Sequence, residues 1–182
     1  GEIDWCRDLF REIREAAPEA AIYFVLGNHE YRMVRYLADT APALASLRSL
    51  SFDKLFGLDD FEISLVCRSS FLAPTSKARK ADLAENWIDL GGYLCTHGTA
   101  LGANPARKEL DRFAMSGTSG HVHRGQVIYD HRAGTGPISW MSTHMMCHPS
   151  DGADFVHSFI PWTMGFGRFS LDPAKRVVSQ HL

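Results

Sequence analysis

The side chains of this chain best suited to chemistry are polar residues that stand where apolar runs end. Ala21-Ile22-Tyr23-Phe24-Val25-Leu26 passes through Gly27 into Asn28-His29-Glu30, an amide, an imidazole and a carboxylate in succession. Tyr93-Leu94-Cys95-Thr96 delivers His97, and Gly120-His121-Val122-His123 sets two imidazoles at i and i+2, on one face if that segment is extended. Three neutral imidazoles and an amide oxygen form a donor set suited to a borderline divalent metal such as manganese, iron or zinc. Arg124 follows at once, placed either to reach a phosphate oxygen in the bidentate manner of arginine or to form a structural ion pair.

Each of these residues has a plainer reading. Asn28 can cap the helix expected over 31–38. The segment 68–80, with four positive charges, reads as a solvated surface loop, and as a phosphate contact only if it faces the metal site. His144, Cys147 and His148, with His157 nearby, carry zinc-binding donor types, but no second pair stands at the spacing of structural zinc sites. They are expected to be core or supporting residues.

Taken together, G-N-H-E at 27–30, H-G at 97–98 and G-H-x-H at 120–123 resemble the last three of the five sequence blocks of the calcineurin-like metallophosphoesterases. The resemblance implies an α/β fold in which two mixed β-sheets pack as a sandwich with helices on the outer faces. It implies hydrolysis of a phosphoester, as a phosphodiesterase or phosphatase, by two divalent ions and a bridging water nucleophile. Manganese is the first choice of ion, with iron or zinc as alternatives. Asn28, His97 and His121 would bind one ion and His123 the other. His29 would protonate the leaving oxygen as general acid, Arg124 and Arg32 would contact substrate, and Glu30 would steady the loop. The family's first two blocks, D-x-H and G-D-x-x-D, are expected upstream of residue 1; Gly1-Glu2-Ile3-Asp4 has only a faint likeness to the second and reads better as the lead into a helix. With those ligands missing, this segment alone is expected to hydrolyse slowly or not at all. The pattern from Tyr31-Arg32 to Trp162-Thr163-Met164-Gly165-Phe166 is also similar to metallophosphoesterases of phages and prophages. A non-catalytic binding module on the same scaffold is the alternative.

The elements that must position these residues follow from periodicity. Trp5, Cys6, Leu9, Phe10 and Ile13 have helical spacing, ending before Pro18. The run at 21–26 reads as a central strand buried on both faces. Pro42 begins a helix with Leu44, Leu47 and Leu50 inside, and Ser51 to Phe56 forms a short one stopped by Gly57 in a left-handed conformation. Phe61, Ile63, Leu65 and Cys67 alternate with polar residues as a half-exposed strand does. Asn104-Pro105 opens a helix through Phe113. Beyond Gly125, short strands at 126–130, 138–143, 155–160, 166–171 and 176–179 predict a mainly antiparallel sheet.

A chain of 182 residues and 20.3 kDa with 45% apolar residues can bury a sizeable core, and one domain, 1–182, truncated at its start, is expected. A net charge of -2 gives no global attraction to nucleic acid or membrane, so a nucleotide or nucleic-acid substrate would need local recognition. No apolar run approaches the ~18 residues of a membrane span. Four cysteines without a C-x-x-C pair read as reduced thiols of a cytoplasmic protein.

Overall fold

The computed structural model describes residues 1–45, 47–67, 86–146, 162–172 and 177–182. It is an α/β structure with a five-stranded mixed sheet and two two-stranded sheets. The chain divides into two compact units, Gly1–Asn86 and Trp87–Leu182. The strand expected over 155–160, the basic segment 68–80, Cys147, His148 and His157 lie outside the described residues.

The first unit opens with helix α1, Glu2–Ala16, followed by strand β1, Ile22–Val25. Strand β2, Ile63–Val66, pairs with β1 in parallel, Ile22 facing Ile63 and Val25 facing Val66. Their common face meets Phe10 of α1 and Phe52 and Phe61, with Phe10 edge-on to Phe24 at 5.8 Å and to Phe61 at 6.3 Å. Such edge-to-face pairs add ~0.5–1.5 kcal/mol each to the burial of the rings. β1 is not buried on both faces as its composition suggested. Its side chains alternate, and Tyr23, pointing away from the phenylalanine cluster, is 43% exposed. Arg14 of α1 ties the end of that helix to the segment before β2: its guanidinium donates to the carbonyls of Ala17, Pro18, Ala20, Phe61 and Glu62.

Helix α2 spans Asn28–Thr40 and α3 only Pro42–Ala45. Leu44 and Leu47 are exposed, contrary to the expected inward stripe. A single helical turn followed by a 3-10 turn over Arg48–Leu50 abandons the 3.6-residue period on which that stripe depended. Helix α4, Phe52–Phe56, does end at Gly57 with φ 63°.

The second unit is built on strands β3, Trp87–Asp89; β4, Leu94–Thr96; β5, Gly117–Ser119; β6, Gln126–Arg132; and β7, Gly136–Ser142. Their order is β3-β4-β5-β7-β6, with β4, β5 and β7 mutually parallel and the two outer pairs antiparallel. Beyond Gly125 the expected antiparallel pairing holds between β6 and β7, while β7 joins the earlier strand β5 in parallel. Helix α5, Pro105–Phe113, starts after Asn104 with proline in its first turn, as expected, and packs Ala106 and Leu110 onto Leu94, Ile138 and Trp140. Phe113 stacks on the fully buried Trp140 at 5.3 Å. Strands β8, Arg168–Leu171, and β9, Val177–His181, pair antiparallel. The pair is anchored by Phe169 stacked on Tyr93 at 4.1 Å and by Gln180, whose amide donates to the Tyr93 hydroxyl at 2.6 Å. Burial pushes the Tyr93 phenol far above its usual pKa. Among the described residues, no helix is long and apolar enough to cross a membrane.

Candidate metal centre

The three parallel strands of the second unit end in line. Register pairs Thr96 with Ser119 and Ser119 with Ser142, so His97 and the Gly120-His121 turn leave adjacent carboxyl ends of one sheet. In open α/β sheets this edge is where ligands bind. Gly117 lets β5 lie deep in the sheet. A Cβ there would sit 2.5 Å from the Leu94 carbonyl oxygen and 2.6 Å from the Trp140 ring. The absence of a side chain at Gly117 therefore serves the packing of a buried tryptophan.

His97 and His121 are brought together, with Nε2 of His97 3.1 Å from Nδ1 of His121. Two nitrogens bound to one ion at the usual ~2.0–2.1 Å would stand about 2.9–3.4 Å apart. The separation matches that of two ligands of one ion, although here one ring donates a hydrogen bond to the other, which metal binding would replace. Gly98, in a left-handed conformation at φ 85°, turns the chain away immediately; a Cβ on it would meet Ser119 Cβ at 2.8 Å.

The G-H-x-H segment is not extended. His121 and His123 both have left-handed backbones, φ 67° and 57°, with the Val122 amide bonded back to the Gly120 carbonyl at 2.8 Å and Val122 itself buried. Histidine is held in that region at a cost of roughly 1–2 kcal/mol per residue. The two imidazoles are thus presented by a turn. His123 sets its ring edge-to-face with Trp162 at 4.7 Å, and its carbonyl accepts the Thr163 amide at 3.0 Å. Among the described residues, no group of three His, Cys, Asp or Glu side chains is arranged to hold a metal.

Asn28, His29 and Arg32 belong to the first unit and His97, His121, His123 and Arg124 to the second. Asn28 is the first residue of α2, with Gly27 as its N-cap, so the capping role considered for Asn28 falls to its neighbour. His29 and Arg32 are exposed on the same helix. The Glu30 carboxylate accepts the Gly27 amide at 2.9 Å, steadying the turn as expected. Arg124 donates to the Gly102 carbonyl, a structural bond that ties the loop after His97 to the histidine turn.

Two contributors were not placed at these strand ends by the sequence: His144, read there as a core or supporting residue, and Glu109, which was not singled out. His144 stands two residues beyond Ser142, as His121 stands two beyond Ser119. Its ring bonds the Thr163 hydroxyl and covers Gly125, where a Cβ would collide with it at 2.2 Å. Parallel register, invisible before the strand order is known, is the signal that finds it. Glu109 is 2% exposed, on the apolar stripe of α5 with Ala106, Leu110 and Phe113. A carboxylate on that stripe was a readable anomaly.

No protein-family model matches the chain, and no solved structure matches it. The Gene 54 protein of Mycobacterium phage L5 is 29% identical to it over 139 residues, 72% of this chain and 48% of that protein. The chain thus spans about half the length of the curated relative it matches, and what it is similar to is a phage protein.

Proposed function

We propose that this chain carries part of a metal-dependent phosphoester hydrolase of phage or prophage type, with the sheet sandwich and ligand roles that the motif resemblance implies. The observation that carries the reading is the His97–His121 pair at 3.1 Å, on adjacent parallel strand ends, with His121 held in a left-handed backbone that histidine adopts only at a cost. The motif resemblance would assign Asn28, His97 and His121 to one divalent ion and His123 to the second, with manganese preferred over iron or zinc; of these, the structure brings His97 and His121 together. When bound, such ions neutralise charge developing on the phosphoryl oxygens and lower the pKa of water. His29, exposed at the start of α2, donates a proton to the departing oxygen. The left-handed turn holds His121 and His123 in place before any ligand arrives, so little ordering cost remains at binding.

Calorimetric titration with Mn2+ and Zn2+, paired with turnover of bis-p-nitrophenyl phosphate, tests the reading. The expected result is one ion captured, abolished by His97→Ala or His121→Ala, with slow turnover that His29→Ala lowers at unchanged metal affinity. A chain that binds neither metal refutes the hydrolase and favours a non-catalytic binding module.

A further inference from the structure

We infer that Glu109 is a positioning residue for His97, and this rests on the metal-ligand reading of that histidine. Oε1 of Glu109 accepts the amides of Thr99 and Ala100, at 2.6 and 2.7 Å. These are the second and third residues after His97, across the left-handed Gly98, toward which Glu109 Oε1 also crowds, 3.3 Å from a Cβ placed there. Arg112, one turn along α5, lies 3.9 Å from Oε2 and donates to the Thr99 hydroxyl at 3.0 Å. Strand β4 therefore fixes the backbone before His97, and Glu109 fixes it behind.

A loop that merely joins a strand to a helix could leave those amides to water. Burying a carboxylate to hold them is costly unless the bonds are strong and well aimed, and amides donating to a charged oxygen make the shorter, stronger kind. The same loop is held at two further carbonyls, Leu101 by Lys108 at 2.6 Å and Gly102 by Arg124. Helix α5 and the residue after the histidine turn thus grip the path from His97 at each residue from Thr99 to Gly102. Such rigidity in the segment behind a ligand reduces the ordering that metal capture would otherwise require.

The test compares Glu109→Ala, Glu109→Gln and Glu109→Asp with the parent chain. It measures Mn2+ affinity by calorimetry and metal-free amide hydrogen exchange at Thr99 and Ala100. Alanine is expected to speed exchange at both amides and weaken Mn2+ binding roughly 10–100-fold. Glutamine keeps a neutral acceptor oxygen at the same reach and should stay within about threefold of the parent. Aspartate, one methylene short, should fall between them and carries the test if alanine does not fold. In a His97→Ala background, Glu109→Asp should change any residual affinity no further. Parent-like affinity in both the alanine and aspartate variants, or glutamine as damaging as alanine, overturns the role of Glu109 alone. No Mn2+ binding by the parent removes the ligand reading and this inference with it.

Discussion

Replacing His121 by glycine separates chemistry from stability. The left-handed backbone at φ 67° costs histidine roughly 1–2 kcal/mol, which glycine does not incur. Against that relief stand the lost bond to His97, about 1 kcal/mol, and the greater freedom of glycine in the unfolded chain, ~0.5–1 kcal/mol. These contributions nearly cancel. Without metal, His121→Gly should unfold within about 1 kcal/mol of the parent, or ~2–4 °C for a chain of this size. Leu110→Ala, at a position with no exposure, should lose about 2–5 kcal/mol in the same urea or thermal titration. With Mn2+ at a hundred times its dissociation constant, the parent should gain ~2.7 kcal/mol and the glycine variant almost nothing. A metal-free loss above about 2 kcal/mol would mean that His121 is held there for packing, and the inference from backbone strain to chemistry would fail.

Three further outcomes follow from the packing. Gly117→Ala drives a methyl into the Leu94 carbonyl and the immobile Trp140, and should destabilise the chain by about 3 kcal/mol in denaturant titration; a neutral result would mean that β5 can shift in the sheet. Arg14→Ala removes donors from five carbonyls and should cost on the order of 2 kcal/mol, with lysine recovering little because one ammonium cannot reach them all; full rescue by lysine would contradict this. Burial pushes the Cys95 thiol up to about 11, whereas an unfolded thiol ionises near 8.5. The folded state binds the proton more tightly, so this stabilisation is intact below the unfolded value and is lost as pH rises toward 11. Cys95→Ala should flatten the fall in stability between pH 8.5 and 11, and an unchanged slope would assign the fall to other groups.

Local signals were the legible part of this chain. Asn104-Pro105 marked the start of α5, Gly57 the end of α4, and the alternation from Phe61 to Cys67 marked β2, because each depends on neighbours within a few residues. Long-range pairing was not legible. Gly117 is required by Trp140, 23 positions away, and the in-line ending of β4, β5 and β7 exists only once strand order is fixed. The spacing of His121 and His123 would put both on one face only of an extended segment, whereas the chain has already left the sheet at Gly120 and turns through two left-handed residues. Residue types at the candidate centre could be read in advance. Their presentation could not, nor could the bonds of Glu109 to the loop after His97, although a carboxylate on the apolar stripe of α5 was itself a legible anomaly.

Pulsed electron paramagnetic resonance on the Mn2+-loaded chain tests the metal centre most directly, because imidazole nitrogens bound to manganese modulate its echo. Modulation from directly bound histidine nitrogens is expected in the parent, reduced in His97→Ala and in His121→Ala and absent when both are replaced. An echo free of nitrogen modulation in the parent, or one unchanged in the double variant, would contradict a metal centre at these strand ends.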